Sequence, residues 1–409
     1  MKSDSQDSDR RKPETNAPLI QLLVIAIAFP LSPLLPKAAR AAERYPSVEE
    51  LPANEKLADP FRFFGQDRRV RTRADWDERR AEIRRLIQHY TCGPAFPQTH
   101  NARVVGDESS EIYDGKATLH KVNLQVGPDH AIACWFEYVM PKAKKPTPLI
   151  VYICPRREFA EETVPWRERI VDRGYAFAWV IPGQFNGYGE HGPVKDAFPE
   201  VKGNTMMAWV WGINEVIHHL DVKHGFDKVI VTGTSRFGKT ATAVGVFNQR
   251  VDLTVPVTGG FAVELFNLTN NKMSADKLAG KCYSNEIMAT FAGQLEKLPV
   301  DQHFWGALIA PRAYLGIMGA ENEKKRRSNI EAYEALVPVF NWLGADDKLG
   351  LYDHSPHGHG ICEDDMHTIM DFANQIFFGK KPRNGKAFDR ISNPDLTGFH
   401  WKAPAKTGD

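Results

Sequence analysis

The residues whose chemistry is easiest to read are those of the heptapeptide Gly233-Thr-Ser-Arg-Phe-Gly-Lys239, which contains Ser235. It follows the apolar run 228–232 and precedes a segment with a helical pattern. A serine on such a strand-to-helix turn projects its oxygen above the sheet, and the N–H groups and dipole of the next helix face any negative charge beside it. Ser235 is therefore predicted to attack an ester or a similar acyl group. The spacing departs by one place from the usual Gly-x-Ser-x-Gly, so an ordinary strand-glycine-helix connection is the alternative.

A serine hydrolase of this kind needs an acid and a histidine later in the chain, in that order. Glu321 and Glu323 follow an apolar run that ends at Met318, although both precede the basic run 324–327 and could belong to a charged surface turn. Three histidines follow the last predicted strand: His354, His357 and His359. The residues alone leave the choice among these histidines, and between the two acids, open.

The elements that would position these residues alternate between apolar strands and helical stretches. The turn signal at 127–130 predicts that strands 116–126 and 131–139 form a hairpin. Six further strands are predicted: 149–154, 175–181, 228–232, 253–257, 313–318 and 348–352. Helical patterns separate several of them, as at 166–173 and 208–220. Apolar strands between helices predict an α/β-hydrolase fold, a mostly parallel sheet with helices on both faces in a three-layer sandwich.

Length, charge and cysteine spacing limit the other possibilities. The chain has 409 residues and a formal net charge of +1, from 52 basic and 51 acidic side chains, so there is no electrostatic case for a nucleic-acid partner. The five cysteines lie far apart without C-x-x-C spacing, which excludes the common zinc patterns and a dense disulfide framework. We expect a single catalytic domain over 43–380, a C-terminal tail over 381–409, and no metal or other cofactor.

The N-terminus has the pattern of an export signal. A polar stretch with Arg10 and Arg11 precedes an uncharged apolar segment, 19–35, and small residues follow up to Ala42. Residues 1–42 are therefore predicted to be a signal peptide that is removed, which places the mature protein in the periplasm or the medium. A membrane anchor is the alternative, but the segment is shorter than the roughly 20 residues needed to span a bilayer and contains prolines. We expect no stable membrane span after cleavage.

Several motifs in a fixed order resemble those of one enzyme family. They are Asp59-Pro-Phe, Trp76-x-x-Arg-Arg-x-Glu-Ile83, Tyr90-x-x-Gly93, Ala208-Trp-Val-Trp-Gly212, the elbow at 233–239, Leu298-Pro-Val-Asp-Gln-His303, Ala307-Leu-Ile-Ala-Pro-Arg312 and the histidine-containing segment near 359. With these motifs the chain resembles the glucuronoyl esterases of carbohydrate esterase family 15, in particular their bacterial branch, from about residue 57 to 378. The resemblance implies an α/β-hydrolase fold and a serine esterase that needs no metal.

The resemblance also implies roles for individual residues. Ser235 would be the nucleophile, and the Arg236 guanidinium would hold the oxyanion, where a cation gains most as charge develops. Lys239 would hydrogen-bond sugar hydroxyls of the uronate. Counting back from Asp371-Phe-Ala, the family histidine is His359, which would take the serine proton and return it to the leaving alcohol. Structural ion pairing is the alternative for Arg236 and Lys239.

The chain departs from the family pattern near the acid and the sugar site. Many members carry a glutamate after the strand that follows the nucleophile helix, but here the segment reads Val255-Pro-Val-Thr-Gly-Gly260. By the pattern of other members, Glu321 is the first candidate for the acid and Glu323 the second. The alternative is a catalytic dyad that works without an acid. Lys324 stands roughly where the family has a tryptophan, and Tyr283 replaces another. We assign Lys324 and Glu286 to substrate binding from their positions.

The predicted function is hydrolysis of 4-O-methyl-glucuronoyl esters, which link xylan to lignin alcohols, through an acyl-enzyme on Ser235. The partner would be a polysaccharide or another uronate ester. Two alternatives remain: an esterase of the same fold acting on a different ester, such as acetylated polysaccharide, and a noncatalytic carbohydrate-binding relative.

Overall fold

A computed structural model of the chain describes residues 44–54, 56–142, 147–154, 164–189, 191–259, 282–319, 323–354, 358–382, 399 and 401–405. The predicted signal peptide and most of the predicted C-terminal tail lie outside these residues. Residues Tyr45–Asp409 form one unit. In the part of the chain that is described, no helix has the length and apolar character required to cross a bilayer.

The centre of this unit is a nine-stranded sheet with the strand order β1-β2-β3-β5-β4-β6-β7-β8-β9. Its strands are β1 Arg103–Ile112, β2 Ala117–Val126, β3 Ile132–Pro141, β4 Leu149–Ile153, β5 Ala176–Val180, β6 Val229–Thr234, β7 Leu253–Val257, β8 Ala313–Met318 and β9 Leu349–Asp353. The first three strands pair antiparallel, and β3 pairs antiparallel with β5. All pairs from β5 to β9 are parallel. The predicted hairpin and mostly parallel sheet are confirmed.

Strand β1 is an element that the sequence did not predict. Its sequence, RVVGDESSEI, is almost entirely exposed in the structure. An edge strand that buries neither face lacks the apolar alternation by which strands are recognised. Its pairing with β2 places it in the sheet, with a register shift between Val104 and Gly106.

Helices cover the sheet. They are α1 Arg73–Ile87, α2 Val164–Asp172, α3 Pro193–Ala197, α4 Thr205–His224, α5 Arg236–Phe247, α6 Glu286–Ala289, α7 His303–Ile309, α8 Glu323–Trp342 and α9 Glu363–Phe378. Shorter turns of 3-10 helix occur at Pro128–His130, Pro182–Gln184, Leu295–Lys297 and Asp346–Lys348, and a π-helical turn, Gln88–Cys92, extends α1. The predicted helical patterns at 166–173 and 208–220 correspond to α2 and α4.

Local sequence explains where the main helices begin and end. Thr72 caps α1 in a capping box with Asp75, since each side chain accepts a hydrogen bond from the other residue's backbone N–H. The Asn204 side chain accepts from the N–H of Met207 at the start of α4, and Gly225, at φ 63°, ends that helix. Most of α4 is buried, including Trp209 and Trp211. This helix therefore packs in the interior and holds aromatic side chains behind the site.

The core lies on both faces of the sheet. Along β4, Leu149, Val151 and Ile153 belong to one apolar cluster. Ile150 and Tyr152, which alternate with them, belong to a second cluster on the opposite face. Because neighbouring strand residues point to opposite faces, a strand buried on both sides requires helices on both sides. The predicted three-layer arrangement is confirmed.

Two further observations concern the cysteines and the end of the chain. All five cysteines lie in the described part of the chain, and none of them is in a disulfide bond. Trp401, in the predicted tail, is only 9% exposed and packs edge-on against Phe61, with ring centroids 6.1 Å apart. The end of the chain thus contributes a side chain to the main core.

Candidate active site

Ser235 lies on a sharp turn between β6 and α5. Its backbone has φ 59° and ψ −122°, a combination that strains a residue with a side chain and is typical of a nucleophile elbow. The N–H of Ser235 donates to the carbonyl of Val257 at 2.9 Å, so the turn is tied to the end of β7. The predicted strand-to-helix elbow is therefore present.

Glycines allow the backbone to pack tightly around this turn. A Cβ on Gly259 would come within 2.2 Å of the Ser235 carbonyl oxygen, and one on Gly238 would come within 3.0 Å of the Gly233 carbonyl oxygen. Both contacts are with backbone, which cannot move aside cheaply. The glycine that follows Ser235 by three places is thus favoured by the close approach of α5 to β6 and β7, since a larger residue there would press on three backbone carbonyls.

Arg236 is exposed beside the nucleophile, and its guanidinium lies over the ring of Tyr188, 5.2 Å from the centroid. The Tyr188 ring in turn meets Trp209 edge-on, with centroids 5.5 Å apart. Trp209 is buried and donates its indole N–H to the carbonyl of Asn186 at 2.7 Å. An arginine held over an aromatic face keeps its charge close to the elbow, where an oxyanion would form.

Lys239 begins the second turn of α5, where its N–H donates to the Ser235 carbonyl at 3.1 Å. Its side chain is largely buried, at 8% exposure, and the ammonium group lies 5.3 Å from the centroid of the Tyr283 ring. Tyr283 is the residue that replaces a family tryptophan. The structure therefore brings Lys239 next to the segment where the sequence predicted sugar recognition.

A groove of about 1160 Å³ reaches Tyr188, whose ring lies under the Arg236 guanidinium. Its lining includes Tyr188, Gly189, Asn204, Cys282, Ser284 and Glu286. Tyr188 connects the groove to Arg236, and residues 282 and 284 flank Tyr283, the neighbour of Lys239. Glu286 is exposed on the groove wall at the start of α6. A groove of this size can accommodate a saccharide of more than one residue.

The segment that carries His359 reaches back from the end of β9 to the end of β7. The hydroxyl of Thr258 donates to the backbone carbonyl of His359 at 2.7 Å. Thr258 directly follows Val257, the acceptor of the Ser235 N–H. Gly319 completes the junction, since a Cβ there would lie 2.4 Å from the Thr258 methyl group and 2.7 Å from the Gly358 carbonyl. His359 is exposed, and its backbone is fixed one strand away from the serine.

His354 has a different environment. Its N–H donates to the Met318 carbonyl at 2.9 Å, which continues the pairing of β9 with β8. Its ring Nδ1 lies 2.7 Å from Oδ1 of Asp365, a buried residue in the first turn of α9. Since β9 is three strands from β6, at about 4.8 Å per strand the backbone of His354 is about 14 Å from the elbow. Geometry therefore favours His359 over His354, whereas His357 lies outside the described residues.

The acid is the part of the predicted site that the described residues leave open. Glu321 lies outside them. Glu323 and Lys324 open helix α8, which places their backbone after β8, but their side chains are not described. Asp353, at the end of β9, forms an ion pair with Arg326 at 2.8 Å. The assignment of Glu321 as acid, with Glu323 as alternative, stays a prediction, as does the role of Lys324.

Three residues of this region were missed by sequence reasoning: Tyr188, Thr258 and Asp365. Tyr188 lies between two glycines, a pattern that indicates a turn but no function. Nothing in the sequence indicated a role for Thr258, except that it lies in the segment where many family members have a glutamate. Asp365 could not be found from its spacing, because the helix-cap pattern that it completes has Cys362 where a serine, threonine, aspartate or asparagine is expected.

Among the described residues, one group of metal-ligand side chains converges: His354, Cys362 and Asp365. The Cys362 sulfur lies 3.6 Å from Nδ1 and 3.8 Å from Nε2 of His354. The lone-pair directions of the two ring nitrogens diverge, so a point nearly equidistant from both is in line with neither. Burial also raises the pKa of the Cys362 thiol to about 11, which disfavours the thiolate that metals bind. The geometry fits a hydrogen-bonded cluster better than a metal site.

A nucleophile elbow after a central strand of a mostly parallel sheet, with a histidine segment folded back from the last strand, defines an α/β-hydrolase. The sequence profile of the family described as "Glucuronyl esterase, fungi" matches residues 140–344, half of the chain. The chain belongs to this glucuronyl esterase family.

Individual relatives agree with this placement. The 4-O-methyl-glucuronoyl methylesterase 1 of Wolfiporia cocos is 28% identical over 419 aligned positions, which cover 95% of each protein. The glucuronoyl esterase catalytic domain of Hypocrea jecorina superposes with a TM-score of 0.66 at 22% identity, over 87% of this chain and 98% of that one. A family 15 glucuronoyl esterase from Caldicellulosiruptor kristjansonii gives 0.65 at 24% identity, over 85% and 97%. The structural matches confirm the predicted fold.

Proposed function

We propose that this protein is a serine carbohydrate esterase that hydrolyses 4-O-methyl-glucuronoyl esters. The observation that carries the proposal is the strained elbow at Ser235, flanked by Arg236 over Tyr188 on one side and by the buried Lys239 on the other. Relatives named 4-O-methyl-glucuronoyl methylesterase support the choice of ester. Xylan in which such esters join glucuronate side chains to lignin alcohols is the proposed polymeric substrate.

In the first half of the reaction, Ser235 Oγ attacks the carbonyl carbon of the ester while His359 accepts the hydroxyl proton. The carbonyl oxygen becomes an oxyanion, which the Arg236 guanidinium and backbone N–H groups at the start of α5 stabilise. When the tetrahedral intermediate collapses, the C–O bond to the alcohol breaks. The protonated His359 gives its proton to that alcohol, and a glucuronoyl ester of Ser235 remains.

In the second half, water replaces the alcohol. His359 removes a proton from the water as its oxygen attacks the acyl carbon, and the same oxyanion contacts act again. Collapse then breaks the bond to Ser235 Oγ, which regains a proton from His359. The products are the free uronic acid and the unchanged enzyme.

Substrate recognition is assigned to Lys239, next to the nucleophile, and to Glu286 in the groove. Lys239 is held by α5 and Tyr283 close to the nucleophile, which suits hydrogen bonds to the hydroxyls of the uronate ring. Glu286 lines the groove and can accept from further sugar hydroxyls. Lys324 is proposed to contact the ester or carboxyl oxygen from the segment after β8.

Glu321 is proposed to accept a hydrogen bond from the second ring nitrogen of His359, fixing its tautomer. Support comes from position, because acids of this fold follow late strands and β8 ends at Met318. We also propose that residues 1–42 are an export signal and that the chain belongs to the bacterial branch of the family. The matching profile is the fungal one, so the branch rests on the sequence motifs.

The experiment is hydrolysis of benzyl glucuronate and of 4-nitrophenyl acetate by the purified mature chain, in parallel with Ser235→Ala and Glu321→Gln. We expect turnover of the glucuronate that Ser235→Ala abolishes and that Glu321→Gln lowers by a few orders of magnitude. Glu323→Gln is the matched control for the acid, with little change expected.

The other outcomes decide against parts of the proposal. Turnover of the acetate alone would assign the protein to another ester, such as acetylated polysaccharide. Saccharide binding without turnover of either ester, unchanged by Ser235→Ala, would identify a noncatalytic binding protein. A large loss in Glu323→Gln and none in Glu321→Gln would transfer the acid role to Glu323.

A further inference from the structure

We propose that Asp365 is a positioning residue for His359: its single carboxylate holds both ends of the segment 354–362, which carries that histidine. The inference rests on the proposed role of His359 as the proton acceptor. Asp365 itself lies in the first turn of α9, six residues beyond His359 in sequence.

The two oxygens of Asp365 bind opposite ends of this segment. Oδ1 lies 2.7 Å from Nδ1 of His354, which we assign as the donor, and Oδ2 accepts the backbone N–H of Cys362 at 2.8 Å. His354 is where the chain leaves β9, and Cys362 is where it enters α9. The Asp365 carboxylate therefore fixes the distance between His354 and Cys362.

Burial makes this connection rigid. Asp365 is only 1% exposed, and the His354 side chain is 16% exposed. A carboxylate withdrawn from water needs its hydrogen-bond donors, so the pair resists opening more than an exposed pair would. The Cys362 thiol lies against the His354 ring and fills the remaining space.

The Thr258 hydroxyl supplies a third attachment in the interior of the segment, at the His359 carbonyl. The backbone carbonyl of His359 is thus held by Thr258, while Asp365 holds residues 354 and 362 on either side of it in sequence. Thr258 binds His359 directly, whereas Asp365 acts at a distance by holding His354 and Cys362 at a fixed separation. The hydrogen bonds of Asp365 with His354 and with the Cys362 N–H would thus support catalysis through the position of His359.

Replacing the carboxylate with an amide removes the negative charge without changing the volume. In Asp365→Asn the one remaining oxygen can keep the bond from the Cys362 N–H, but the amide NH2 group then faces His354 Nδ1, which can accept only if the ring changes tautomer. Misplacing a catalytic group by about 1 Å costs about 100-fold in rate. We expect kcat on benzyl glucuronate to fall between 10- and 100-fold, with KM changed less than twofold, since the groove is untouched.

The matched control is Asp364→Asn, which removes the neighbouring, exposed carboxylate of the same helix turn and should leave kcat unchanged. Thermal unfolding and circular dichroism of both variants measure any general loss of structure. If Asp365→Asn does not yield folded protein, His354→Asn replaces it, because this change frees only one end and leaves the Cys362 cap in place. It should lower kcat in the same direction.

A double-mutant cycle with His359→Gln separates positioning from a structural effect. If Asp365 acts through His359, the Asp365→Asn substitution has no further effect on the residual rate of His359→Gln. An equal loss in both backgrounds, or a kcat of Asp365→Asn equal to that of Asp364→Asn, would overturn the proposal. Full activity of His359→Gln alone would instead refute the proposed proton acceptor, so the two failures are distinguishable.

Discussion

The hydroxyl of Thr258 donates a hydrogen bond of 2.7 Å to the backbone carbonyl of His359, across a sequence separation of 101 residues. Thr258 adjoins Val257, whose carbonyl accepts the N–H of Ser235. The proposed nucleophile and the proposed proton acceptor are therefore attached to two consecutive residues at the end of β7. Their relative position depends on that short stretch of backbone.

Thr258→Val tests this attachment. The variant keeps the β-branched shape at a backbone with φ 44° and loses only the hydroxyl. A hydrogen bond of this kind contributes about 1 kcal/mol, so kcat should fall about two- to tenfold while KM remains unchanged. Steady-state kinetics on benzyl glucuronate measure kcat and KM of the variant. Thr254→Val on the same strand is the control, because the buried hydroxyl of Thr254 has no hydrogen-bond partner among the described residues. Equal kinetics of the two variants would show that the Thr258 bond does not position His359.

The ring of Tyr188 should matter for catalysis more than its hydroxyl. Tyr188 is 60% exposed, and its face lies under the Arg236 guanidinium. Exposed cation–π contacts contribute about 0.5–1 kcal/mol, so Tyr188→Ala should lower kcat about two- to fivefold, while Tyr188→Phe, which keeps the ring, should retain it. The comparison is made at saturating benzyl glucuronate. If the phenylalanine variant loses as much as the alanine variant, the hydroxyl rather than the ring supports Arg236.

Gly259→Ala should inactivate the enzyme. The added methyl group would meet the carbonyl oxygen of Ser235 at 2.2 Å and so displace the elbow. We expect a loss of about 100-fold or more in kcat, the scale of a displacement of about 1 Å. Gly183→Ala, where a Cβ meets nothing within 4 Å, is the matched control. Activity and thermal unfolding are measured for both. Wild-type activity of Gly259→Ala would contradict the tight packing at the elbow.

His303 makes stability depend on pH. It is fully buried, its Nε2 lies 2.9 Å from the Ala58 carbonyl, and burial lowers its pKa to about 4 from 6.5. Below pH 6.5 the unfolded chain binds a proton that the folded protein does not, so stability falls as pH decreases from 6.5 towards 4 and this contribution then levels off. The slope for this one group is about 1.4 kcal/mol per pH unit.

His303→Gln, which keeps a donor for the Ala58 carbonyl, should remove that part of the slope. Urea unfolding at several pH values between 6.5 and 4 measures the free energy of unfolding. His191→Gln is the control, since the His191 side chain is 91% exposed. Parallel curves for wild type and His303→Gln would show that another group causes the acid sensitivity.

Much of the fold could be predicted because its strands and helices carry local signals. The apolar runs at β4 to β9 and the glycine-serine turn at 233–238 depend on nearest neighbours in sequence. Strand β1 could not be predicted, since only pairing with β2 makes its polar residues a strand. Trp401 is similar: nothing near it in sequence indicates that Phe61 and His303 cover its ring.

In the site, too, residues of one local motif could be predicted, whereas contacts between distant residues could not. Ser235, Arg236 and Lys239 belong to one contiguous motif, and the sequence order of strands indicates a histidine after β9. The residues alone left the choice among the histidines open, and the family resemblance pointed to His359. The contacts of Thr258 and Asp365, which favour the same residue, join positions far apart in the chain or on different elements and could not be predicted. Tyr188 could not be predicted for the same reason: its proposed role depends on the contact between its ring and the Arg236 guanidinium.

The most direct test of the central claim is detection of the covalent intermediate. Benzyl glucuronate is mixed with excess enzyme, the reaction is quenched with acid within milliseconds, and the intact protein and its peptides are analysed by mass spectrometry. We predict an adduct with the mass of one glucuronoyl group on the peptide that contains Ser235, formed before the free acid appears and absent from Ser235→Ala. Release of glucuronic acid at an undiminished rate by Ser235→Ala, or an adduct on a different residue, would contradict the account.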